Sequence, residues 1–436
     1  MRLSSFGLTS LASSTAIAVA ARNVALGIVL PAALVSTIAV AQAKPAAKAK
    51  HAAAPAAAAP TGAPATYVPG AVPPPGVNAR SWVLVDASSN QVLASGNADE
   101  RVEPASLTKL MTAYLVFEAL DSKKITMEQI VTPGEAVRRV GRDESRMFIE
   151  ANKPVSVHDL VYGMIIQSGN DAAIALAELV GGSEGQFVNM MNAQAQRLGM
   201  TNTHFADVNG MPDPNHYTTA GDLAKLSTHL IRDYPDYYNI FSVKEFAYNN
   251  IKQPNRNRLL WLDPTVDGLK TGHTQAAGYC LIASAKRSLP GAADATRRLV
   301  TVMMGETKES DRVQDSMKML SYGYTAFDSV RLYKAGQPID TPRVYKGKSN
   351  NVQVGVKKDQ FITVPRGLAD KVKPEVALNA PLIAPLADGQ AVGSVKLVAD
   401  GKTVAEFPVV ALQPVPEAGL LGRIWDSILL MFSKKK

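Results

Sequence analysis

Three short motifs, far apart and in a fixed order, constrain this chain of 436 residues more than any other feature: Ser106-Leu107-Thr108-Lys109, Ser168-Gly169-Asn170 and Lys270-Thr271-Gly272. Each falls in a different local setting. Pro104 precedes the apolar-periodic positions Leu107, Leu110, Met111, Tyr114 and Leu115, so a helix starts close to Ser106. Ser168-Gly169-Asn170 lies on a turn between two helical patterns, and Lys270-Thr271-Gly272 leads into a strand. Ser-x-x-Lys alone is common by chance. In this combination the motifs demand a fold that gathers a helix start, a turn and a strand around one cleft.

A serine hydroxyl is a poor nucleophile at neutral pH and needs a base within hydrogen-bond reach. Spacing of i to i+3 on a helix puts Lys109 one turn beyond Ser106 on the same face, so the amine reaches the hydroxyl. That amine must be neutral to accept a proton. Burial and neighbouring positive charge lower a lysine pKa, and Lys270 supplies such a neighbour. At a helix N-terminus the macrodipole and free backbone N–H groups favour a developing anion. Ser168 suits a proton shuttle, and Asn170 can hold a substrate amide and the Lys109 amine. Lys270 with Thr271 suits a carboxylate, and Gly272 lets a substrate backbone approach closely. Read singly, Ser106 is an ordinary helix-capping serine and Lys109 an exposed lysine; together the motifs point to serine acyl transfer.

The ends of the chain bear on its compartment. Residues 1–43 contain Arg2 and Arg22 but no acidic residue, and an apolar run from Val24 to Val40 ends in the small-x-small signal Ala41-Gln42-Ala43. Export with cleavage before Lys44 is expected; an uncleaved membrane anchor is the alternative, because the run is nearly long enough to span. Without those residues the formal charge falls from +8 to +6, with 44 basic against 38 acidic side chains. That excess suits an anionic membrane surface or a cell-wall environment. An exported chain without a basic-aromatic groove is not expected to bind nucleic acid. Cys280 is the only cysteine, so no intrachain disulfide exists; it lies in the apolar run Gly278-Tyr279-Cys280-Leu281-Ile282-Ala283 and reads as a core residue. His158, His204, His216 and His229 show no metal-ligand spacing, so no metal or other cofactor is expected.

The expected fold class is α/β in several domains. Residues 44–78, rich in Ala and Pro, read as a linker that cannot bury enough apolar surface to order itself. Residues 79–328 read as the catalytic domain, with a sheet flanked by helices. Its strands are expected at Ser81–Val85, Gln91–Ala94, Tyr279–Ser284 and Leu299–Met304, with helix starts capped by Ser156 with Asp159 and by Thr219 with Asp222. Residues 329–413, with short β-branched runs punctuated by Pro, Gly and Asp, read as a small all-β domain. Over 414–436 a Pro-bounded exit leads to an amphipathic helix. Leu420, Leu421, Ile424, Trp425, Ile428, Leu429 and Phe432 share one face, Arg423, Asp426 and Ser427 the other, and Lys434 to Lys436 close it. An in-plane membrane anchor is expected; packing of that face on the protein's own body or on another subunit is the alternative.

The motif set is the signature of serine penicillin-binding proteins and β-lactamases. More closely, the chain resembles the low-molecular-mass D-alanyl-D-alanine carboxypeptidases of the penicillin-binding protein 5 and 6 type, serine peptidase family S11. The likeness runs through Pro104-Ala105-Ser106-Leu107-Thr108-Lys109, Gln167-Ser168-Gly169-Asn170-Asp171-Ala172, Asn202-Thr203-His204-Phe205 and Val266-Asp267-Gly268-Leu269-Lys270-Thr271-Gly272-His273-Thr274. It covers about residues 79–436. The resemblance implies a β-lactamase/transpeptidase-like catalytic domain in which Ser106 is acylated, Lys109 is its base, and Ser168 and Asn170 form the second catalytic element. It further implies an oxyanion hole from the backbone N–H groups of Ser106 and His273, and a substrate carboxylate held by Lys270, Thr271 and Arg312. Arg312 is otherwise a solvated residue at a helix start, and Arg256 lines either the cleft or a surface turn.

The implied substrate is a peptidoglycan stem pentapeptide that loses its terminal D-Ala, with β-lactams as mimics that acylate the same serine. The expected location is the periplasm, on the outer face of the cytoplasmic membrane. A β-lactamase is the enzymatic alternative, but no Glu-x-x-x-Asn element follows the second motif to supply a deacylation base. A catalytically silent wall-binding scaffold is the non-enzymatic one, and intact Ser106, Lys109 and Lys270 argue against it.

Overall fold

The computed structural model describes residues 65–399 and 401–433; the expected export segment, the first part of the Ala/Pro-rich stretch, Asp400 and Lys434 to Lys436 lie outside them. The frame is an antiparallel sheet of β1 (Ala65–Tyr67), β2 (Ser81–Asp86), β3 (Gln91–Gly96), β4 (Val266–Thr274), β5 (Gly278–Leu289) and β6 (Ala292–Glu306), in the order β1-β3-β2-β6-β5-β4. Side chains alternate across a strand. On β2, therefore, Val83 and Val85 join one apolar cluster while Trp82 and Leu84 join another on the opposite face. The first cluster takes in the helices α1 (Lys109–Asp121), α2 (Val157–Tyr162), α3 (Asn170–Gly181), α4 (Glu184–Arg197) and α5 (Ala220–Asp233). The second packs under α6 (Glu309–Ala326) through Met319 and Leu320.

Helix α1 is apolar all round, with Leu110, Met111, Ala113, Val116 and Phe117 fully buried, as a central helix must be. Both expected caps form. Ser156 Oγ accepts the Asp159 N–H at 3.0 Å and Thr219 Oγ1 accepts that of Asp222 at 3.0 Å, each satisfying an otherwise orphaned donor.

Three expectations need correction. Part of the presumed linker belongs to the domain: β1 pairs with β3, Tyr67, Val68 and Ala71 pack against the second cluster, and Tyr322 Oη donates to Val72 O at 2.7 Å. The third motif lies inside β4, an edge strand that begins at Val266, and does not merely lead into a strand. The exit after residue 413 is part of the β domain: Val415 is buried in its core, bridges to Leu386, and Lys348 N donates to Pro416 O at 2.9 Å.

Beyond α6, Phe327–Tyr333 pairs with Gln360–Pro365. A five-stranded sheet follows in the order Pro338–Asp340, Val354–Gly355, Lys402–Ala411, Ala391–Ala399, Lys373–Leu378, over a core of Val344, Ile362, Val395, Leu397 and Val409. Buried polar groups tie this β domain to the catalytic sheet. The Asp86 carboxylate, at the end of β2, accepts from Arg297 Nε and from Thr363 Oγ1, both at 2.7 Å, while Arg297 Nη1 donates to Phe327 O at 3.1 Å. Thr363 N and O also exchange bonds with the Gln91 side chain at 2.7 and 3.1 Å.

The last helix, α7 (Leu420–Ser433), docks by its polar side. Asp426 is buried, accepts the Lys346 N–H and pairs with Arg343 at 3.3 Å. Leu420, Leu421, Ile424, Trp425, Ile428 and Met431 are exposed, so the alternative in which they pack on the protein's own body is not what is seen. No helix among the described residues is long and apolar enough to cross a membrane.

Removing one partner of a buried ion pair strands the other charge. Asp86→Ala is therefore expected to lower the unfolding free energy by about 3–5 kcal/mol in urea titrations, whereas Asp388→Ala at the exposed Lys357 pair changes it little. Equal, small effects would remove Asp86 from the interdomain tie.

Candidate active site

Ser106 sits on a tight turn made possible by two glycines. A 3₁₀ turn, Ala105–Thr108, leads directly into α1, and Ala105 adopts a left-handed backbone at φ 48°. A Cβ on Gly210 would lie 1.7 Å from Ala105 O, and one on Gly272 would lie 3.1 Å from Pro104 O. Only glycine permits the first approach and glycine eases the second, so the 207–211 turn and β4 close on Ser106 from two sides.

Lys109 Nζ lies 3.0 Å from Ser106 Oγ and donates to Asn209 O at 2.9 Å. The side chain is buried, and its pKa falls to about 7; burial is the main cause, with Arg256 adding to it and Asp207 opposing it. The sequence pointed to burial together with a neighbouring cation, Lys270; burial is indeed the larger cause, but the cation that adds to it is Arg256. The charges on Lys109 and Arg256 in turn help burial push Lys270 well below the ordinary lysine range.

Helix α2 runs into a π turn, Gly163–Gln167, which ends at Ser168 in a left-handed conformation of φ 68°. This reversal directs Ser168 Oγ to Lys270 Nζ, 2.8 Å away. Asn170 starts α3. Its Nδ2 donates to Glu144 Oε2 at 2.5 Å, and its Oδ1 is buried with no hydrogen-bond partner. The expected bond from Asn170 to the Lys109 amine is thus replaced by that from the Asn209 carbonyl. The next residue, Asp171, accepts the backbone N–H groups of Met147, Phe148 and Ile149 at 2.9–3.2 Å, which fixes the loop bearing Glu144.

Across the cleft, β4 presents Thr271, Gly272 and His273, and Arg256 and Arg312 add positive charge; the enclosed space is about 500 Å³. Arg312 is buried, not solvated, with Nη1 on Gly272 O at 3.2 Å, Nη2 on Glu309 at 2.7 Å and its guanidinium over Tyr279. His273 stacks its exposed ring on Tyr279, centroids 4.0 Å apart, and burial followed by Arg312 lowers its pKa, leaving a neutral imidazole. Ser106, Ser168, Asn170, Thr271, Gly272, His273 and Arg312 therefore line one cleft, with Lys109 and Lys270 buried at its floor.

Sequence reasoning passed over Glu144, Asp207 and Asn209. Glu144 lies in a loop without periodicity, and Asn209 acts through its carbonyl, which any residue would supply. Among the described residues no group of three or more His, Cys, Asp or Glu is arranged to hold a metal ion.

Comparison with known proteins places the chain in a family. Residues 69–308 match the peptidase S11 family, described as D-alanyl-D-alanine carboxypeptidase, and residues 327–417 match the penicillin-binding protein 5 C-terminal domain. The chain is 43% identical to D-alanyl-D-alanine carboxypeptidase DacC of Escherichia coli over 364 residues, 82% of this chain and 89% of that protein. The crystal structure of penicillin binding protein 5 from Haemophilus influenzae superposes with a TM-score of 0.72 at 43% identity, covering 79% of this chain and all of that one. Penicillin-binding protein D2 of Listeria monocytogenes in its ampicillin-bound form matches with a TM-score of 0.51 at 30% identity, over 58% of this chain and all of that one. With its catalytic region and its β domain both matched, the chain belongs to the D-alanyl-D-alanine carboxypeptidase family.

Proposed function

We propose that this protein removes the terminal D-Ala from peptidoglycan stem pentapeptides through an acyl-enzyme on Ser106. The observation that carries the assignment of roles is the buried Lys109 amine, 3.0 Å from Ser106 Oγ with a pKa near 7. Neutral Lys109 takes the Ser106 proton as Oγ attacks the carbonyl of the penultimate D-Ala. Backbone N–H groups of Ser106 and His273 receive the oxyanion. Collapse breaks the peptide bond, and the leaving amine takes a proton relayed from Lys109 through Ser168. Water then attacks the ester, returning a proton to Ser106 and releasing the shortened peptide.

The cationic end of the cleft, with Lys270, Thr271 and Arg312, suits the free carboxylate of the departing residue. β-Lactams share that carboxylate and a reactive amide, and the ampicillin-bound relative supports their acylating Ser106. Glu144, hydrogen-bonded to Asn170 inside the cleft, is a carboxylate of the kind a β-lactamase would use, so the turnover of bound penicillin discriminates the readings. A penicillin-labelled band that persists on a gel favours the carboxypeptidase, rapid loss of label favours the lactamase, and no band favours the silent scaffold.

Ser106→Ala should abolish D-Ala release and penicillin labelling, and Lys109→Ala should lose about 10²- to 10⁴-fold in acylation. Because the amine must be neutral, acylation by wild type should fall as pH drops through about 7. A flat profile from pH 5 to 9 would count against Lys109 as base. Arg312→Ala should impair peptides with a free C-terminal carboxylate far more than their amides; equal impairment of both would remove its carboxylate role.

We further infer peripheral attachment to the outer face of the cytoplasmic membrane, with the protein exported by residues 1–43. The exposed apolar row of α7, from Leu420 to Met431, supports this. Deleting residues 420–436 should release the enzyme from anionic vesicles while small-peptide turnover stays near wild type. Continued sedimentation with vesicles would end the anchor reading.

A further inference from the structure

The turn behind Lys109 carries a carboxylate that the scheme above leaves unused. Asp207 Oδ1 accepts the backbone N–H groups of Asn209 at 2.7 Å and Gly210 at 2.6 Å, and Oδ2 accepts that of Met211 at 3.0 Å. These bonds wind the chain into the turn that aims Asn209 O at Lys109 Nζ. Thr112 Oγ1 donates to Val208 O at 2.9 Å and fastens the same turn to α1.

His216 does not cancel the Asp207 charge. Its ring is buried, its Nδ1 accepts the Ala206 N–H at 3.4 Å, and its Nε2 lies 2.9 Å from Thr108 Oγ1. Burial, the main cause, lowers its pKa, so the ring that stands 3.7 Å from the Asp207 carboxylate is neutral. We propose that Asp207 is the positioning residue of the general base: it fixes the carbonyl that holds the Lys109 amine, and its negative charge acts on that amine across the turn.

The charged groups around Lys109 come from five directions. Asp207 from the turn, Glu144 from the loop before the second motif and Asp171 from α3 favour the ammonium; Arg256, from the loop before β4, disfavours it. Lys270 on β4 is the remaining cation beside it. Asp207 is the largest of the electrostatic influences, exceeded only by burial. Neutralising it leaves Arg256 opposed by Glu144 and Asp171 alone, so the amine loses its proton at lower pH.

This inference rests on Lys109 acting as the base. The experiment is the pH dependence of penicillin acylation for wild type, Asp207→Asn and Asp207→Glu, each normalised to its own plateau. In Asp207→Asn the side-chain oxygen still accepts the Asn209 and Gly210 N–H groups, but the charge is gone. Its acid limb should move down by about one pH unit, the lower end of the range for a neighbouring opposite charge. Below the limb it should therefore be up to about tenfold more active, relative to plateau, than wild type. Asp207→Glu keeps the charge, and its limb should stay where wild type has it.

A wild-type limb that Asp207→Asn leaves in place overturns the Asp207 role, since a purely structural residue lowers the rate at every pH without moving the limb. If Asp207→Asn fails to fold, a displaced limb in Asp207→Glu overturns it equally. Absence of any limb in wild type would instead remove Lys109 as base, a separate failure from that of Asp207.

Discussion

An ammonium taken out of water loses solvation worth several kcal/mol unless it is paired or gives up its proton. The cleft takes two lysines out of water, Lys109 and Lys270, and among the described residues supplies neither with a direct carboxylate partner. Hydroxyls and backbone carbonyls receive them instead. That arrangement is poor for stability but leaves an amine that can be neutral near physiological pH, as the proposed base must be. The rest of the domain supports it: the central helix α1 fixes Lys109, edge strand β4 fixes Lys270, and the glycines at 210 and 272 let three segments of chain close around them.

How much of this was legible depended on whether chemistry or geometry chose the residue. Ser106, Lys109, Ser168, Asn170 and Lys270 were found from sequence because only those side chains can occupy such roles, and the structure brings them to one cleft. Family membership followed from the same motifs, and the β domain from the short β-branched runs after residue 328. Asn209 left no signal, since its contribution is a carbonyl oxygen. Glu144 and Asp207 sit in loops with no periodicity, where spacing carries no information. Arg312 read equally well as a surface residue until α6 laid it under β4.

The errors at domain edges have a common cause. Composition reports whether a segment can bury its own surface, not whether a neighbour will pair with it. β1 has only three residues and follows an Ala/Pro-rich stretch, yet β3 offers it an open edge. Val415, between two prolines, reads as a stiff exit but completes the β-domain core. In both places a partner outside the local window decided the structure.

The Asp86 carboxylate receives bonds from both domains, and α7 is pinned to the β domain through Asp426. With α7 lying in the membrane surface as proposed, the cleft rides on a strut and not a leash. Such an enzyme works at a set height above the bilayer, diffusing in two dimensions while a thin layer of the wall comes within its reach. Stem peptides would then be trimmed according to their depth in the wall, and the length of the β domain becomes the ruler that selects them.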